Sequence, residues 1–155
     1  MAGTVKAIPE GFHSVTPYLS ISGAAQAIEF YKKAFGAIEL VRMPAPDNKV
    51  GHAEIKIGDS IIMMADEVPG MGNRSPQTLG GSPVGMLLYV EDADKVFHQA
   101  VAAGAKAERP LKDEFYGDRA GSVRDPFGHE WHIHTHIEDV TPEEMQKRMA
   151  AMAPA

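Results

Sequence analysis

Residues 24–36, AAQAIEFYKKAFG, decide the fold that this chain is expected to adopt. Their apolar side chains recur at helical spacing, and Gly36 follows at a position where helices commonly end. The preceding stretch, residues 15–21, is strand-like, although Pro17 favours a sheet edge or a bulge there. A strand followed by an amphipathic helix is therefore predicted. The residues expected on the buried face of the helix are Ala24, Ala27, Ile28, Tyr31 and Phe35.

Strand-like stretches follow this helix, and the same order of elements then returns. The first three strands are predicted at residues 37–43, 50–57 and 60–65, with the hairpin signal IGDS between the last two. In the second half, a strand is predicted over residues 84–90 and a helix over residues 91–104. The inward positions of that helix are Ala93, Val96, Phe97, Ala100 and Val101. Three further strands are predicted at residues 105–110, 119–124 and 130–137, with RDPFGH as the last turn.

The two halves match in order and spacing. Ile21 corresponds to Val90, and the helix-ending Gly36 falls within one position of Gly104. Two βαβββ modules, each with a helix over one sheet face, give an α+β fold. The predicted segments, all in one domain, are a tail at residues 1–12, a module at 13–68, a linker or mobile loop at 69–83, a second module at 84–137 and a C-terminal helix at 138–155.

The final helix has well-placed start signals. Thr141 can accept hydrogen bonds at the helix start, and Pro142 suits the first helical position. Glu144 completes a capping box. The helix carries a methionine stripe that we expect to pack on the domain or on a partner subunit, namely Met145, Met149 and Met152.

Composition excludes several classes of function. A formal net charge of −6 provides no basic field for nucleic acid. The absence of cysteine excludes disulfides and thiolate metal sites, so a metal would need His, Asp or Glu ligands. No apolar run approaches ~18 residues and no secretory signal is evident, so no membrane partner is expected and the cytoplasm is the predicted location.

Four motifs together carry a family resemblance: IEFYKKAFGA, HAEIKIGDS, FYGDRAGSVRDPFGHEW and EDVTPEEMQKR. Over roughly residues 13–150 the chain resembles the vicinal oxygen chelate superfamily of glyoxalases, bleomycin resistance proteins and dioxygenases, and most of all its PhnB-like branch. The resemblance implies U-shaped sheets that enclose ligand sites, often across a dimer, so a homodimer is expected. It does not fix the reaction, because members of this superfamily share a scaffold and differ in chemistry.

The resemblance also implies where a metal would bind. Metal-using members place one ligand on the first and one on the fourth strand of each module. The matching positions here are Thr16, Met63 (Ile62 if aligned through the internal repeat), Gly85 and His132. Only His132 is a plausible ligand, so the usual metal mechanism of glyoxalase I is not expected.

The stretch GHEWHIHTH, residues 128–136, holds four of the seven histidines. Strand alternation places its apolar residues under the helix and leaves His132 and His134 toward a cavity. These two imidazoles could share a metal, with Glu54 or His52 from the third strand as the further ligand. Polar lining of a ligand pocket and a solvated strand face are the alternatives.

Other side chains are candidates for ligand contact. Arg119 could present a bidentate donor to a carboxylate or phosphonate, and an ion pair with Asp118 or Glu114 is its alternative role. Tyr18 and Tyr89 could stack on a flat ligand, with core packing as the alternative. The complete set of predicted ligand-binding residues is Thr16, Tyr18, Met63, Tyr89, Arg119, His132 and His134.

The sequence leaves two functions open. The first is a binding protein, without a cofactor, that sequesters an antibiotic-like or aromatic molecule in a cavity between the modules. The acidic balance of the chain favours a cationic ligand for it. The second is a metal-dependent lyase, isomerase or dioxygenase that uses zinc, iron, manganese or nickel. Its relocated ligands would be His132, His134 and either Glu54 or His52.

Overall fold

Two four-stranded sheets carry the fold in a computed structural model of the chain, which describes residues 3–152 and 154. The chain divides into two compact units, residues 1–81 and 82–155, and the boundary lies in the segment predicted to link the modules. Each unit has one long helix between its first two strands. The predicted α+β architecture of two βαβββ modules and a C-terminal helix is therefore confirmed.

The first unit has its strands in the order β1-β4-β3-β2, with β1 and β4 parallel and the other pairs antiparallel. Its helix α1 ends at Gly36, which takes the left-handed backbone conformation (φ 67°) that favours glycine. The elements are β1 (Tyr18–Ile21), α1 (Ala24–Phe35), β2 (Ile38–Ala45), β3 (Lys49–Ile57), β4 (Ser60–Asp66) and a short helix α2 (Pro76–Leu79).

One expectation for the first unit was wrong in detail. Strand β1 begins at Tyr18 rather than at residue 15, because Pro17 has no N–H to donate to a sheet. The segment predicted as a linker or mobile loop, residues 69–83, contains α2. The carboxylate of Glu67 accepts hydrogen bonds from the Ser75 backbone N–H and the Thr78 hydroxyl, and these bonds hold α2 in place.

The second unit repeats the pattern with the strand order β5-β8-β7-β6 and β5 parallel to β8. Its helix is capped by Asp92, whose side chain accepts the N–H of Lys95. Val101, expected to face inward, is exposed. The elements are β5 (Gly85–Tyr89), α3 (Ala93–Ala103), β6 (Lys106–Asp113), β7 (Asp118–Arg124), β8 (Glu130–His136) and α4 (Pro142–Met152).

Helix α4 starts as predicted, with the Thr141 hydroxyl accepting the N–H of Glu144 at 3.2 Å. Most of its methionine stripe does not pack on the rest of the unit, because Met149 and Met152 are both exposed, whereas Met145 is half-buried. The helix is held instead by Arg148, whose guanidinium donates to a carboxylate on the preceding segment and to the Phe115 carbonyl oxygen. Packing of the stripe on a partner subunit stays a prediction. In the part of the chain that the structure describes, no helix is long and apolar enough to cross a membrane.

Candidate functional site

The hairpin turn between β7 and β8 sets the geometry of the candidate site. One carboxylate oxygen of Asp125 accepts the backbone N–H groups of Phe127 and His129, and the other accepts the indole N–H of Trp131. The motif RDPFGH was predicted to form this turn. It fixes the register of the hairpin so that Ser122 lies opposite His132.

The two faces of β8 have different partners, as alternation predicted. Trp131 and Ile133 are buried on the face that carries α3. His132 and His134 lie on the opposite face and line a cavity of about 240 Å³ that belongs entirely to the second unit. The other lining residues are Arg109, Pro110, Lys112, Glu114, Tyr116, Ala120, Gly121 and Ser122.

Irregular pairing of β6 brings Arg109 to this cavity. The register between β6 and β7 shifts on both sides of Arg109, and such bulges re-aim side chains. Gly121 allows the close approach of β6, since a Cβ atom there would lie 3.1 Å from the Arg109 carbonyl oxygen. Among the described residues the Arg109 guanidinium has no hydrogen-bond or ion-pair partner, whereas Lys112 lies 3.5 Å from a carboxylate oxygen of Glu114.

The hydroxyl group of Ser122 lacks a partner at the cavity wall. The residue is fully buried (0% exposed), and its Oγ makes no hydrogen bond within residues 3–152 and 154. A buried hydroxyl without a partner costs about 1–3 kcal/mol, so native proteins rarely keep one without a use. Ser122 belongs to the cavity wall directly opposite His132, where its covered hydroxyl is left without a partner.

The imidazole of His132 lies over the bare backbone of Gly85. A Cβ atom added at Gly85 would approach Nε2 of His132 to 2.7 Å, closer than real Cβ contacts. The two residues predicted as the metal positions of the second module are therefore neighbours. Glycine at the first position leaves room for the ring at the second.

A buried carboxylate, Asp118, binds three side chains at the start of β7. Its Oδ2 accepts hydrogen bonds from Nδ1 of His134 and from the Tyr89 hydroxyl, both at 2.9 Å. Its Oδ1 accepts from Nδ1 of His136 at 2.8 Å. Burial alone would raise the pKa of Asp118, but the bonds from the two imidazoles and the phenol outweigh it and lower that pKa. Asp118 is therefore ionised at neutral pH.

The bond to Asp118 fixes the proton on His134. A carboxylate only accepts hydrogen bonds, so Nδ1 of His134 must donate, and Nε2 of the neutral ring keeps its lone pair. This Nε2 makes no hydrogen bond to any described residue. The ring of Tyr116 lies nearly parallel to that of His134, with ring centroids 6.2 Å apart, and burial raises the pKa of the Tyr116 hydroxyl. The cavity is thus lined by a potential proton acceptor, Nε2 of His134, and by the aromatic ring of Tyr116.

The turn before Asp118 depends on Gly117. Its φ is 99°, and a Cβ atom there would lie only 2.1 Å from the carbonyl oxygen of Glu138. The carbonyl of Gly117 also accepts the N–H groups of Ile137 and Glu138. This close backbone contact brings the end of β8 to the start of β7, where His136 meets Asp118.

The predicted site residues of the first unit form a separate group. In the first unit Met63 pairs with Tyr18, and in the second unit His132 pairs with Leu87, the equivalent of Tyr18. Met63, rather than Ile62, is therefore the first-unit equivalent of His132. The Tyr18 hydroxyl lies 2.9 Å from Nδ1 of His52, and Nε2 of that ring lies 3.2 Å from Oε1 of Glu54.

Core packing was the alternative role for the two predicted stacking tyrosines, and it is wrong. Tyr18 is 53% exposed and Tyr89 is 61% exposed. Thr16, before β1, is half-buried. Contact of these three residues with a ligand stays a prediction.

Arg119 lies on the opposite face of its sheet from His132 and His134. Its guanidinium bonds both carboxylate oxygens of Asp94, on α3, and one of Asp113. The expected ion pair therefore exists, but the predicted partners Asp118 and Glu114 were wrong, because alternation turns Arg119 away from both. Arg119 lines a second depression of about 410 Å³ beside α3.

The described residues do not fit the metal that the resemblance implies. Within residues 3–152 and 154, no set of three or more His, Asp or Glu side chains is arranged to hold a metal ion. The other positions of the family's metal pattern are held by Gly85, Thr16 and Met63, which offer no ligand suited to a divalent cation. The four proposed ligands divide between the units, with His52 and Glu54 in the first.

Sequence reasoning missed the polar residues that β6, β7 and the turn between them bring to the cavity histidines. The cavity lining includes Arg109, Tyr116 and Ser122, and Asp118 accepts the Nδ1–H of His134. The predicted hairpin turn could have revealed part of this set, because pairing outward from Asp125 and His129 places Ser122 opposite His132 and Asp118 opposite His136. No sequence pattern predicts that Arg109 lies at the cavity, because its position depends on bulges in the pairing of β6 with β7.

Comparisons with known proteins cover most of the chain. A family model described as the glyoxalase/bleomycin resistance protein/dioxygenase superfamily matches residues 12–133. An uncharacterized protein of Mycobacterium bovis is 43% identical over 141 residues, which are 89% of this chain and 93% of that protein. Protein YjdN of Escherichia coli is 31% identical and covers 77% of this chain and 92% of its own length.

Solved structures agree with this similarity. A gene product from Arabidopsis thaliana, 31% identical, matches with a TM-score of 0.64 over 79% of this chain and 98% of that one. TioX from a Micromonospora species, 27% identical, matches with a TM-score of 0.62 over 83% of this chain and 100% of that one. The fold and the order of elements are therefore shared along nearly the whole length of these proteins.

Proposed function

Because this chain belongs to the glyoxalase/bleomycin resistance protein/dioxygenase superfamily, we propose that it binds a small aromatic anion in the cavity of its second unit. The observation that carries the proposal is the buried Ser122 hydroxyl without a partner. A ligand oxygen that accepts a hydrogen bond from this hydroxyl would remove the cost of burying it. The proposal keeps the predicted binding role but moves it from a cavity between the modules to one within the second unit.

The charges around the cavity favour an anionic ligand rather than the cationic one that the overall composition suggested. Arg109 has a guanidinium without a described partner, and a guanidinium binds carboxylates through two parallel hydrogen bonds. The single carboxylate of the lining, Glu114, is already close to Lys112. Local charge at a site decides recognition more directly than the net charge of −6.

The aromatic part of the ligand is suggested by Tyr116 and by size. The Tyr116 ring offers an apolar, partly buried face beside His134. The cavity of about 240 Å³ is smaller than the roughly 300–1,000 Å³ typical of drug-sized ligands. A ligand with one or two rings is therefore favoured over a large peptide antibiotic.

The proposal includes a homodimer, as the family resemblance implies. The exposed Met149 and Met152 of α4 form an apolar strip that a second copy could cover. Sedimentation equilibrium tests this part independently: a single species with twice the mass of the chain supports it, and a monomer at all concentrations contradicts it.

Calorimetric titration with 2-naphthoate tests ligand binding. We expect saturable binding by the native protein and at least a tenfold weaker affinity for Arg109→Gln. The matched control is Arg74→Gln, which removes the same charge from an exposed arginine that does not line the cavity. Equal affinity of all three proteins, or no binding of 2-naphthoate or benzoate, would overturn the proposal.

Metal analysis of the same preparations separates this proposal from metal-dependent chemistry. We expect binding of 2-naphthoate to survive treatment with a chelator. Stoichiometric zinc, iron, manganese or nickel that disappears in His132→Ala, together with loss of binding after chelation, would instead support a metal-dependent lyase, isomerase or dioxygenase.

A further inference from the structure

The pair of Asp118 and His134 has the arrangement of a positioned general base. Asp118 is 3% exposed and its carboxylate accepts the Nδ1–H of His134, so the lone pair of the neutral ring lies on Nε2. His134 is itself buried (7% exposed) and lines the cavity. A buried carboxylate that orients an imidazole in this way fixes the tautomer and stabilises the ring once it takes a proton.

The other histidines of the strand differ from His134 in these respects. His136 also bonds Asp118, but it is exposed, does not line the cavity, and has Asp139 at its Nε2. His132 lines the cavity, but its nearest carboxylate oxygen, on Glu130, is 3.8 Å from Nε2 and only partly buried. His134 alone among these three combines a buried carboxylate at one nitrogen with an unbonded second nitrogen.

We infer that the cavity supports metal-independent proton transfer, with His134 as the base that removes a proton from carbon beside a ligand carbonyl group. The inference rests on the proposed binding of aromatic anions in this cavity. The class of substrate is an aryl ketone that carries a carboxylate. Arg109 binds the carboxylate, and the Ser122 hydroxyl donates to the ketone oxygen, where negative charge develops.

The step needs no oxidant, reductant or metal. Nε2 of His134 takes the proton, and the electrons of the broken C–H bond form the carbon–carbon double bond of an enolate. The carbonyl π electrons move onto oxygen, which the Ser122 hydroxyl stabilises. Return of a proton to the same carbon restores the ketone, and in D2O that carbon acquires deuterium. Asp118 acts through His134 and is a positioning residue.

The probe is 3-benzoylpropanoate, a stable aryl ketone with a carboxylate. Proton NMR in D2O follows loss of the signal from the carbon beside the ketone, and calorimetry measures binding in parallel. A general base contributes about 10²–10⁴-fold, so we expect the native protein to accelerate exchange well above buffer. We expect His134→Asn, which keeps a donor at the Nδ1 position and deletes the Nε2 acceptor, to bind the probe without accelerating exchange.

His136→Asn is the matched control, since it loses another imidazole on the same carboxylate outside the cavity; we expect its exchange rate to be unchanged within about twofold. Asp118→Asn should remove most of the roughly 10²–10⁴-fold acceleration with little change in probe affinity. Its ¹⁵N spectrum should show the His134 ring in mixed tautomers, which loss of packing alone would not cause.

Each result decides between the two claims. Binding of the probe with exchange at the buffer rate would overturn proton transfer and leave the proposed function standing. Absence of binding would overturn both. Undiminished exchange in His134→Asn, or in Asp118→Asn if the former does not fold, would also overturn the role of the pair.

Discussion

The imidazole of His132 occupies space that a side chain at Gly85 would fill, with Nε2 only 2.7 Å from the position of the missing Cβ. We predict that Gly85→Ala forces the His132 ring to move and weakens binding of 2-naphthoate at least fivefold, while the fold persists. The control is Gly51→Ala, whose added Cβ makes ordinary contacts of 3.5 Å or more. Unchanged affinity in Gly85→Ala, measured by calorimetry, would contradict this account of the cavity.

The unpartnered hydroxyl of Ser122 predicts an unusual effect on stability. We expect Ser122→Ala to raise the free energy of unfolding by about 1 kcal/mol, because a buried group without a partner is removed. The same substitution should weaken ligand binding. Ser75 is also fully buried, but its Oγ accepts the Thr78 N–H, so Ser75→Ala should lose about 1 kcal/mol. Urea denaturation compares the two, and similar losses in both variants would show that Ser122 has a partner.

The turn that positions Asp118 should be intolerant of a side chain at Gly117. Gly117→Ala meets both the left-handed backbone (φ 99°) and a clash with the Glu138 carbonyl. We expect it to lower the free energy of unfolding by more than about 3 kcal/mol. Gly58→Ala has positive φ with open space around it and should cost only about 1 kcal/mol. Equal costs in thermal or urea unfolding would argue against the close contact.

The end of β8 should respond to pH through His136. Hydrogen bonds to Asp139 and then to Asp118 raise the pKa of His136 above 6.5. Since folding favours the protonated ring, its contribution to stability is complete below about pH 6.5 and is lost as pH rises through the raised pKa. We expect Asp139→Asn to lower the His136 pKa measured by NMR, and to lower Tm at pH 6 more than at pH 9. The effect should vanish in a His136→Asn background; a Tm difference that grows with pH would contradict the assignment.

Much of the fold follows from local patterns in the sequence. Three local features support the prediction of two modules: the helix spacing of residues 24–36, the helix end at Gly36 and the turn at Asp125. Each of these features is determined by residues that are close in sequence. The methionine stripe of α4 identifies an apolar face, but periodicity does not show what covers that face.

The site was harder to predict than the fold. Alternation along β8 correctly separated the histidine face from the apolar face. The partners of those histidines come from other strands: Asp118 through hairpin register, and Arg109 through bulges that sequence alone does not reveal. The predicted partners of Arg119 were wrong because they were chosen by nearness in sequence. The face of β7 that the Arg119 side chain occupies is shown instead by the hairpin register.

Chemical-shift mapping with 2-naphthoate tests the central claim, that the cavity of the second unit binds the ligand. In ¹⁵N-labelled protein we predict that the largest backbone shifts fall within residues 109–122 and at His132 and His134. Shifts that fall instead around Tyr18, His52 and Met63 of the first unit, or an unchanged spectrum at saturating ligand, would contradict it.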